Sequence, residues 1–374
     1  MSVAARAAGL TTSPIRSIAR GAPQGTISLA LGEPGWPVPD AATQALVHWA
    51  DLAMTCSYGP NEGLPELVEA LTERYAVRPD QLMVTAGSQA ALFALFQAHV
   101  PAGSRVLVPD PGFPAYRTLA TLAGAESTAY PLGPGGALHA GAVLDLLEQH
   151  HDVSVVVLNH PANPTGGCAT APELERVARA CERRDVTLIS DEVYRELRVD
   201  GTPQPSVREV SDRAIVVQSV SKAWAAPGLR VGWAGGPAEL LAPARLVHNA
   251  MTTAPARPSQ VAAAALLGDS ATVLAGSRKE LRRRWELVAA GPEVLRPTQP
   301  VTAGFYHWLP LPPWTRADPE GFVRRVRDEG RVLVVPGAAF GPAGRDHVRL
   351  SVGGPRAELL EGLARLAPWW EEPC

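Results

Sequence analysis

Of the 34 basic residues in this 374-residue chain, two are lysines, Lys222 and Lys279. A sequence that otherwise uses arginine keeps a lysine where it needs an amine that can lose its proton and attack a carbonyl, which a guanidinium does not do. Lys222 stands in Ser219-Val220-Ser221-Lys222-Ala223-Trp224-Ala225-Ala226-Pro227-Gly228-Leu229-Arg230, with hydroxyls three and one residues before it and an arginine eight after it. Hydroxyls and a guanidinium suit a phosphate, and the amine suits an imine. Lys279, in Arg278-Lys279-Glu280-Leu281-Arg282-Arg283-Arg284-Trp285, reads as one more charge on a solvated helix face.

Four further segments carry polar residues where an apolar run ends. Gly87-Ser88-Gln89 opens a helix, where free N–H groups and the helix dipole favour a phosphate; the same residues also read as a plain cap. Asn159-His160-Pro161-Ala162-Asn163-Pro164-Thr165-Gly166 is a rigid turn that is either an ordinary loop or a mount for the Asn163 amide. Asp191-Glu192-Val193-Tyr194 places an acid after an apolar run, as a helix cap or as a buried carboxylate facing a crevice. Arg349, in His347-Val348-Arg349-Leu350-Ser351, is either a surface arginine on a strand or a fork for a carboxylate. Phosphate ligands, an imine-forming lysine and a carboxylate for a pyridine nitrogen together describe a pyridoxal 5'-phosphate site.

The elements that must position these residues follow from periodicity. Arg105–Val108, Ser154–Leu158, Val186–Ile189, Ala214–Gln218 and Val231–Ala234 are short apolar runs, as expected of parallel strands covered on both faces. Helical patterns such as Gln89–His99 and Glu173–Arg184 lie between them, the second opened by a Thr170/Glu173 capping box. The alternation predicts an α/β fold with a mostly parallel central sheet sandwiched by helices, with ligands at the carboxyl ends of its strands. The last part is mixed: helices over Ala271–Ala290, Glu320–Glu329 and Pro355–Trp369, strands over Gly304–Leu309, Val332–Val335 and Val348–Val352, and a Pro-rich loop, Pro310–Pro319. It predicts a smaller α+β domain. The expected division is 1–45 as an N-terminal segment packing with the small domain, 46–285 as the large cofactor-binding domain and 286–374 as the small domain.

The ordered set of motifs resembles the fold type I, class I/II aminotransferases of the aspartate aminotransferase superfamily. The resemblance runs nearly end to end, from Ser13-Pro14-Ile15-Arg16 to Arg349. It passes through Leu31-Gly32-Glu33-Pro34, Tyr58-Gly59-Pro60-Asn61-Glu62-Gly63-Leu64-Pro65-Glu66-Leu67, Pro111-Gly112-Phe113-Pro114-Ala115-Tyr116 and Val335-Pro336-Gly337-Ala338-Ala339-Phe340-Gly341. It implies that Lys222 holds pyridoxal 5'-phosphate as an imine and moves the substrate proton, and that Asp191 pairs with the pyridine nitrogen. Asn163 and Tyr194 would bond the ring's 3-oxygen, and Phe113 would stack on the ring. Ser88, Gln89, Ser219 and Arg230 would hold the phosphate, with Gly87 and Ser221 also in the cofactor site, and Tyr58 would reach the phosphate of a neighbouring subunit in a homodimer with shared active sites. Arg349, with the Gly32 backbone and Asn163, would clamp the substrate carboxylate.

The implied activity is transfer of an amino group from an L-amino acid to a 2-oxo acid such as 2-oxoglutarate; a lyase or oxidase acting on an amino acid is the alternative on the same scaffold. Relatives specific for dicarboxylates can carry an arginine just upstream of Met251-Thr252-Thr253, where this chain has His248 and Asn249. The expected donor is therefore apolar or aromatic. His160 is uncommon in its motif and reads as a loop residue or a substrate contact; Trp36 and Tyr116 read as side-chain pocket residues or as core.

Composition narrows the classes. A net charge of -3 gives no electrostatic case for nucleic acid or an anionic membrane. No run is long and apolar enough to span a bilayer, and no secretory leader is expected, so the expected location is the cytoplasm. Cys56, Cys168, Cys181 and Cys374 form no CxxC pair and no metal-ligand spacing, which fits reduced thiols and no metal.

Overall fold

The computed structural model describes residues 4–10, 12, 14–52 and 57–371. Ser13, at the head of the N-terminal motif, and Cys56 and Cys374 lie outside the described residues. Among these, the strands are β1 (Ile27–Ser28), β2 (Leu82–Thr85), β3 (Arg105–Asp110), β4 (Glu126–Pro131), β5 (Val153–Asn159), β6 (Thr187–Asp191), β7 (Ile215–Ser219), β8 (Gly232–Gly235), β9 (Tyr306–Pro310), β10 (Val332–Leu333), β11 (Val335–Pro336) and β12 (His347–Ser351).

Seven strands form one sheet in the order β2-β8-β7-β6-β5-β3-β4. β7, β6, β5, β3 and β4 are mutually parallel, whereas β8 is antiparallel to both neighbours. The run Val231–Ala234 was expected to join the parallel set. Its reversal follows from its connection: residues 220–231 hold the Lys222 loop and one short 3-10 turn, with no crossover helix to carry the chain back.

The parallel strands are buried on both faces because their side chains alternate between two cores. Val155 and Val157 of β5 face helices Ser88–His99, Ala115–Ala123 and Ala238–Thr252, while Val156 and Leu158 face Ala140–Gln149 and Ala171–Arg183. This double burial makes the apolar runs continuous. The Thr170/Glu173 capping box is formed as expected and starts Ala171–Arg183. The edge strand β4 was not expected: it is largely exposed and carries no apolar run.

β11, β12 and β9 form an antiparallel sheet, and β1 pairs in parallel with β10. The expected strand Val332–Val335 is thus divided between two sheets. The N-terminal segment continues from β1 to meet β12, where the Ser351 N–H donates to the Leu29 carbonyl at 2.6 Å. Helix Ser270–Ala290 buries Val273, Leu274, Ser277, Leu281, Arg284, Trp285 and Val288, one stripe at helical spacing, and leaves Lys279 exposed. No helix among the described residues is long and apolar enough to cross a membrane.

Candidate active site

The strands of the large sheet run further than their apolar cores. β5, β6 and β7 each continue into a polar last residue, Asn159, Asp191 and Ser219. Sheet register sets Asn159 beside Asp191, Asp191 beside Val217, and Ser219 beside Gly232 on the antiparallel strand. The Asn159 side chain fixes this edge: its Nδ2 donates to the Asp191 carbonyl at 2.9 Å and its Oδ1 accepts from the Asn163 N–H at 2.9 Å.

Lys222 enters from the loop after β7. Its Nζ donates to the Gly32 carbonyl at 2.6 Å and lies 5.9 Å from the centre of the Tyr194 ring. The amine therefore sits between the N-terminal segment and the β6 end. Asp191 is buried, and burial pushes its carboxyl up to about 6. The Tyr116 hydroxyl, which donates to Oδ2 at 2.7 Å, the Val193 N–H and the Lys222 charge oppose that rise. A protonated pyridine nitrogen beside this carboxyl would stabilise its charged form further.

A phosphate cradle lies at the start of helix Ser88–His99. Gly87 has no side chain to cap the helix and has φ +86°. A Cβ on Gly87 would lie 2.4 Å from Arg230 Nη2, and one on Gly232 would lie 2.5 Å from the Ser88 nitrogen. Only glycines let β8, Arg230 and the helix N-terminus approach so closely. Arg230 itself is left-handed at φ +54°. Ser219 Oγ donates to the Val231 carbonyl at 2.8 Å and shares a 2.7 Å hydrogen bond with Ser221 Oγ. Ser88 is half-buried, while Gln89 and Arg230 are exposed, so the cradle opens to solvent on one side.

Arg349, on the central strand of the small antiparallel sheet, is 1% exposed. The surface reading of this residue is overturned. Nη1 donates to Asn163 Oδ1 at 2.9 Å and Nη2 to the Ala30 carbonyl at 2.6 Å, while the buried Nε has no partner. The guanidinium lies 4.2 Å from the Tyr306 ring centre and 4.8 Å from that of Phe340. A buried cation held by neutral groups, with a donor to spare, is a seat for a carboxylate.

An imine-capable amine, a buried carboxylate and a phosphate cradle thus gather at the carboxyl ends of the large sheet, and Asn163 joins them to the carboxylate fork of the small sheet. The donor set and the glycine-lined cradle fit pyridoxal 5'-phosphate. Tyr194 is buried at the same edge, its hydroxyl 2.8 Å from that of Tyr306. Phe113 is half-buried and packs edge-on to Tyr116. Tyr58 is 87% exposed and is not drawn into this chain's own crevice.

Three residues sit differently from one of the expectations for them. Trp36 is core, against Phe305 and under the Arg284 guanidinium, with its Nε1 bonded to Ser277. Tyr116 is fully buried behind Asp191 and holds its carboxylate. His160 is a buried loop residue: its Nδ1 faces the Gly167 carbonyl at 3.2 Å, and burial pushes the imidazole down to about 4, so it is neutral. His248 is buried too, its Nε2 accepting from the Ala86 N–H. Sequence reasoning missed Tyr306 altogether, and it named Asn159 only as part of a turn. Asn159 could have been found as a polar residue closing an apolar strand; Tyr306 gives no such signal.

The chain matches the family described as aminotransferase class I and II over residues 24–366. It is 32% identical over 357 residues to a valine--pyruvate aminotransferase of Mycobacterium tuberculosis, covering 92% of this chain and 90% of that one. It is 30% identical over 353 residues to LL-diaminopimelate aminotransferase 2 of Nostoc sp., covering 91% and 90%. Among solved structures, aspartate aminotransferase from Thermus thermophilus with maleate superposes with a TM-score of 0.88 at 28% identity, covering 99% of this chain and 100% of that one. The chain belongs to the class I and II aminotransferases and is a pyridoxal-phosphate-dependent enzyme of fold type I.

Proposed function

We propose that the enzyme moves the amino group of an apolar or aromatic L-amino acid to a 2-oxo acid, with 2-oxoglutarate as acceptor. The observation that carries the reading is Arg349: a buried cation with an unsatisfied Nε, beside Asn163 and linked to Lys222 through the Tyr306 ring and the Gly32 backbone. The bound cofactor supplies a carbonyl that takes up the amino group and a ring that accepts the electrons released when the α-hydrogen leaves as a proton. Arg349 holds the substrate α-carboxylate and so fixes the α-carbon. Lys222 Nζ would take the proton from the α-carbon and deliver it on the cofactor side. Asp191 keeps a positive charge on the ring nitrogen, and Tyr116 keeps Asp191 aimed at it. Tyr194 and Asn163 would bond the ring oxygen, Phe113 would cover the ring face, and Gly87, Ser88, Gln89, Ser219, Ser221 and Arg230 would hold the phosphate.

The apolar donor is supported by the sequence, which has His248 and Asn249 where dicarboxylate-specific relatives can carry an arginine; His248 is buried and its Nε2 accepts from the Ala86 N–H. The exposed Tyr58 and the solvent-open side of the cradle support a homodimer in which Tyr58 completes the partner's phosphate site. In this reading the enzyme is cytoplasmic, with residues 1–45, 46–285 and 286–374 as its N-terminal, large and small units. The test is a matrix of donors and acceptors assayed by product identity. Fast transfer from Leu, Phe or Tyr to 2-oxoglutarate is expected. A preference for aspartate as donor, or for pyruvate as acceptor, would overturn the corresponding half of the reading. Consumption of donor without transfer would replace it with a lyase or oxidase.

A further inference from the structure

Tyr306, the first residue of β9, touches three parts of the crevice at once. Its hydroxyl is 2.8 Å from that of Tyr194, its ring lies 4.2 Å from the Arg349 guanidinium carbon, and a Cβ on Gly32 would land 1.9 Å from its hydroxyl oxygen. Gly32 is the residue whose carbonyl receives Lys222. Tyr306 is 4% exposed, and its ring is further fixed by Phe305 at 4.9 Å and by Tyr194 at 5.6 Å.

We propose that Tyr306 is a positioning residue that joins the two ends of the substrate site: its hydroxyl donates to Tyr194 and its ring seats Arg349. The inference rests on the roles proposed above for Tyr194 and Arg349. The direction of the hydrogen bond follows from the surroundings. Tyr194 must turn its own O–H toward the ring oxygen of the cofactor, so its lone pair is left for Tyr306. A phenol that accepts one hydrogen bond is a stronger donor of the next. Tyr306 thereby strengthens Tyr194 as a donor without touching the reacting atoms. Its ring holds the guanidinium plane by a cation–π contact in a desolvated site, where such contacts count most.

This arrangement explains why the wall facing Tyr306 is a glycine. Any side chain at position 32 would occupy the space of the Tyr306 hydroxyl and break the link to Tyr194. The charged and titratable groups around the phenol pair are Asp191, Lys222, Arg349 and, behind Asp191, Tyr116. All of them are retained when Tyr306 loses only its hydroxyl.

The test is the pH midpoint of the visible absorption change of the cofactor-loaded enzyme, recorded without substrate. A weaker donor to the ring oxygen leaves more negative charge there and holds the neighbouring nitrogen's proton more firmly. Tyr306→Phe is therefore expected to raise the midpoint by roughly 0.4 to 1 pH unit, the size of one net hydrogen bond. The shift should vanish when Tyr306→Phe is made on a Tyr194→Phe background. Replacement by 3-fluorotyrosine, a more acidic donor, is expected to lower the midpoint, which keeps the test independent of how well the Phe variant folds. Half-saturation by a non-reacting monocarboxylate should be unchanged in Tyr306→Phe and several-fold higher in Tyr306→Leu, which loses the ring. An unmoved midpoint, an equal shift on both backgrounds, or equal carboxylate binding in the Phe and Leu variants would overturn the inference. A parent enzyme with no titrating band would instead overturn the underlying reading of the site.

Discussion

Removing the Arg349 guanidinium is the sharpest perturbation of substrate binding that the structure offers. Two of its nitrogens bond Asn163 Oδ1 at 2.9 Å and the Ala30 carbonyl at 2.6 Å, and the buried Nε has no partner, so the guanidinium keeps donor capacity for a carboxylate. A hydrogen bond to a charged group contributes about 1.5–3 kcal/mol, so Arg349→Ala should raise the half-saturating donor concentration roughly 10- to 150-fold. Arg349→Lys keeps the charge but loses the planar fork, and should fall between the two. The assay is the rate of the donor half-reaction against concentration, run with an amino acid and with the amine that lacks its carboxylate. The parent enzyme should discriminate strongly between them, and Arg349→Ala should lose most of that discrimination. An alanine variant that still prefers the amino acid by the parent's factor would refute the placement of Arg349 at the carboxylate.

Three further outcomes are expected. Lys222→Ala should abolish turnover, because Lys279, the other lysine of the chain, is exposed on helix Ser270–Ala290; transamination retained at an appreciable rate would remove Lys222 from its role. Asp191→Asn should lower cofactor occupancy yet stabilise the cofactor-free protein at high pH. Burial raises this carboxyl from 3.8 to about 6, so its ionisation opposes folding by an amount that grows from pH 4 to pH 6 and reaches about 3 kcal/mol. Thermal unfolding of the Asn variant and the parent should therefore differ above pH 6 and converge below pH 4. Gly87→Ala should cost about 1–3 kcal/mol of stability for a side chain at φ +86°, ψ 162°, and should weaken cofactor binding by displacing Arg230; equal melting and equal cofactor titration curves would contradict it.

The fold was legible wherever one physical rule dominated. Double-faced burial makes β3, β5, β6 and β7 continuous apolar runs, and each was found from that signal. The same signal stopped too early at every carboxyl end, because Asp110, Asn159, Asp191 and Ser219 are polar yet stay in the ladder through their backbones. These polar ends include the residues that build the site. β4 was invisible because an exposed edge strand needs no apolar pattern. The orientation of β8 was misread because an apolar run of four residues carries no direction; the connection does. Lysine scarcity pointed at Lys222, and the structure brings it together with Asp191, Asn163, Tyr194 and Arg349. What the sequence withheld were contacts between distant segments. The Tyr116 hydroxyl on Asp191 and the Tyr306 ring under Arg349 depend on tertiary packing, and neither leaves a spacing or a composition to read.

Lys222 is the residue proposed to carry the cofactor. The direct measurement is borohydride reduction of the cofactor-loaded enzyme followed by peptide mass spectrometry. With two lysines in the chain, the phosphopyridoxyl mass has few places to go. The label is expected on the peptide containing Lys222, at about one per chain, with loss of the yellow band. A label confined to Lys279, or no label on a protein that still transaminates, would contradict it.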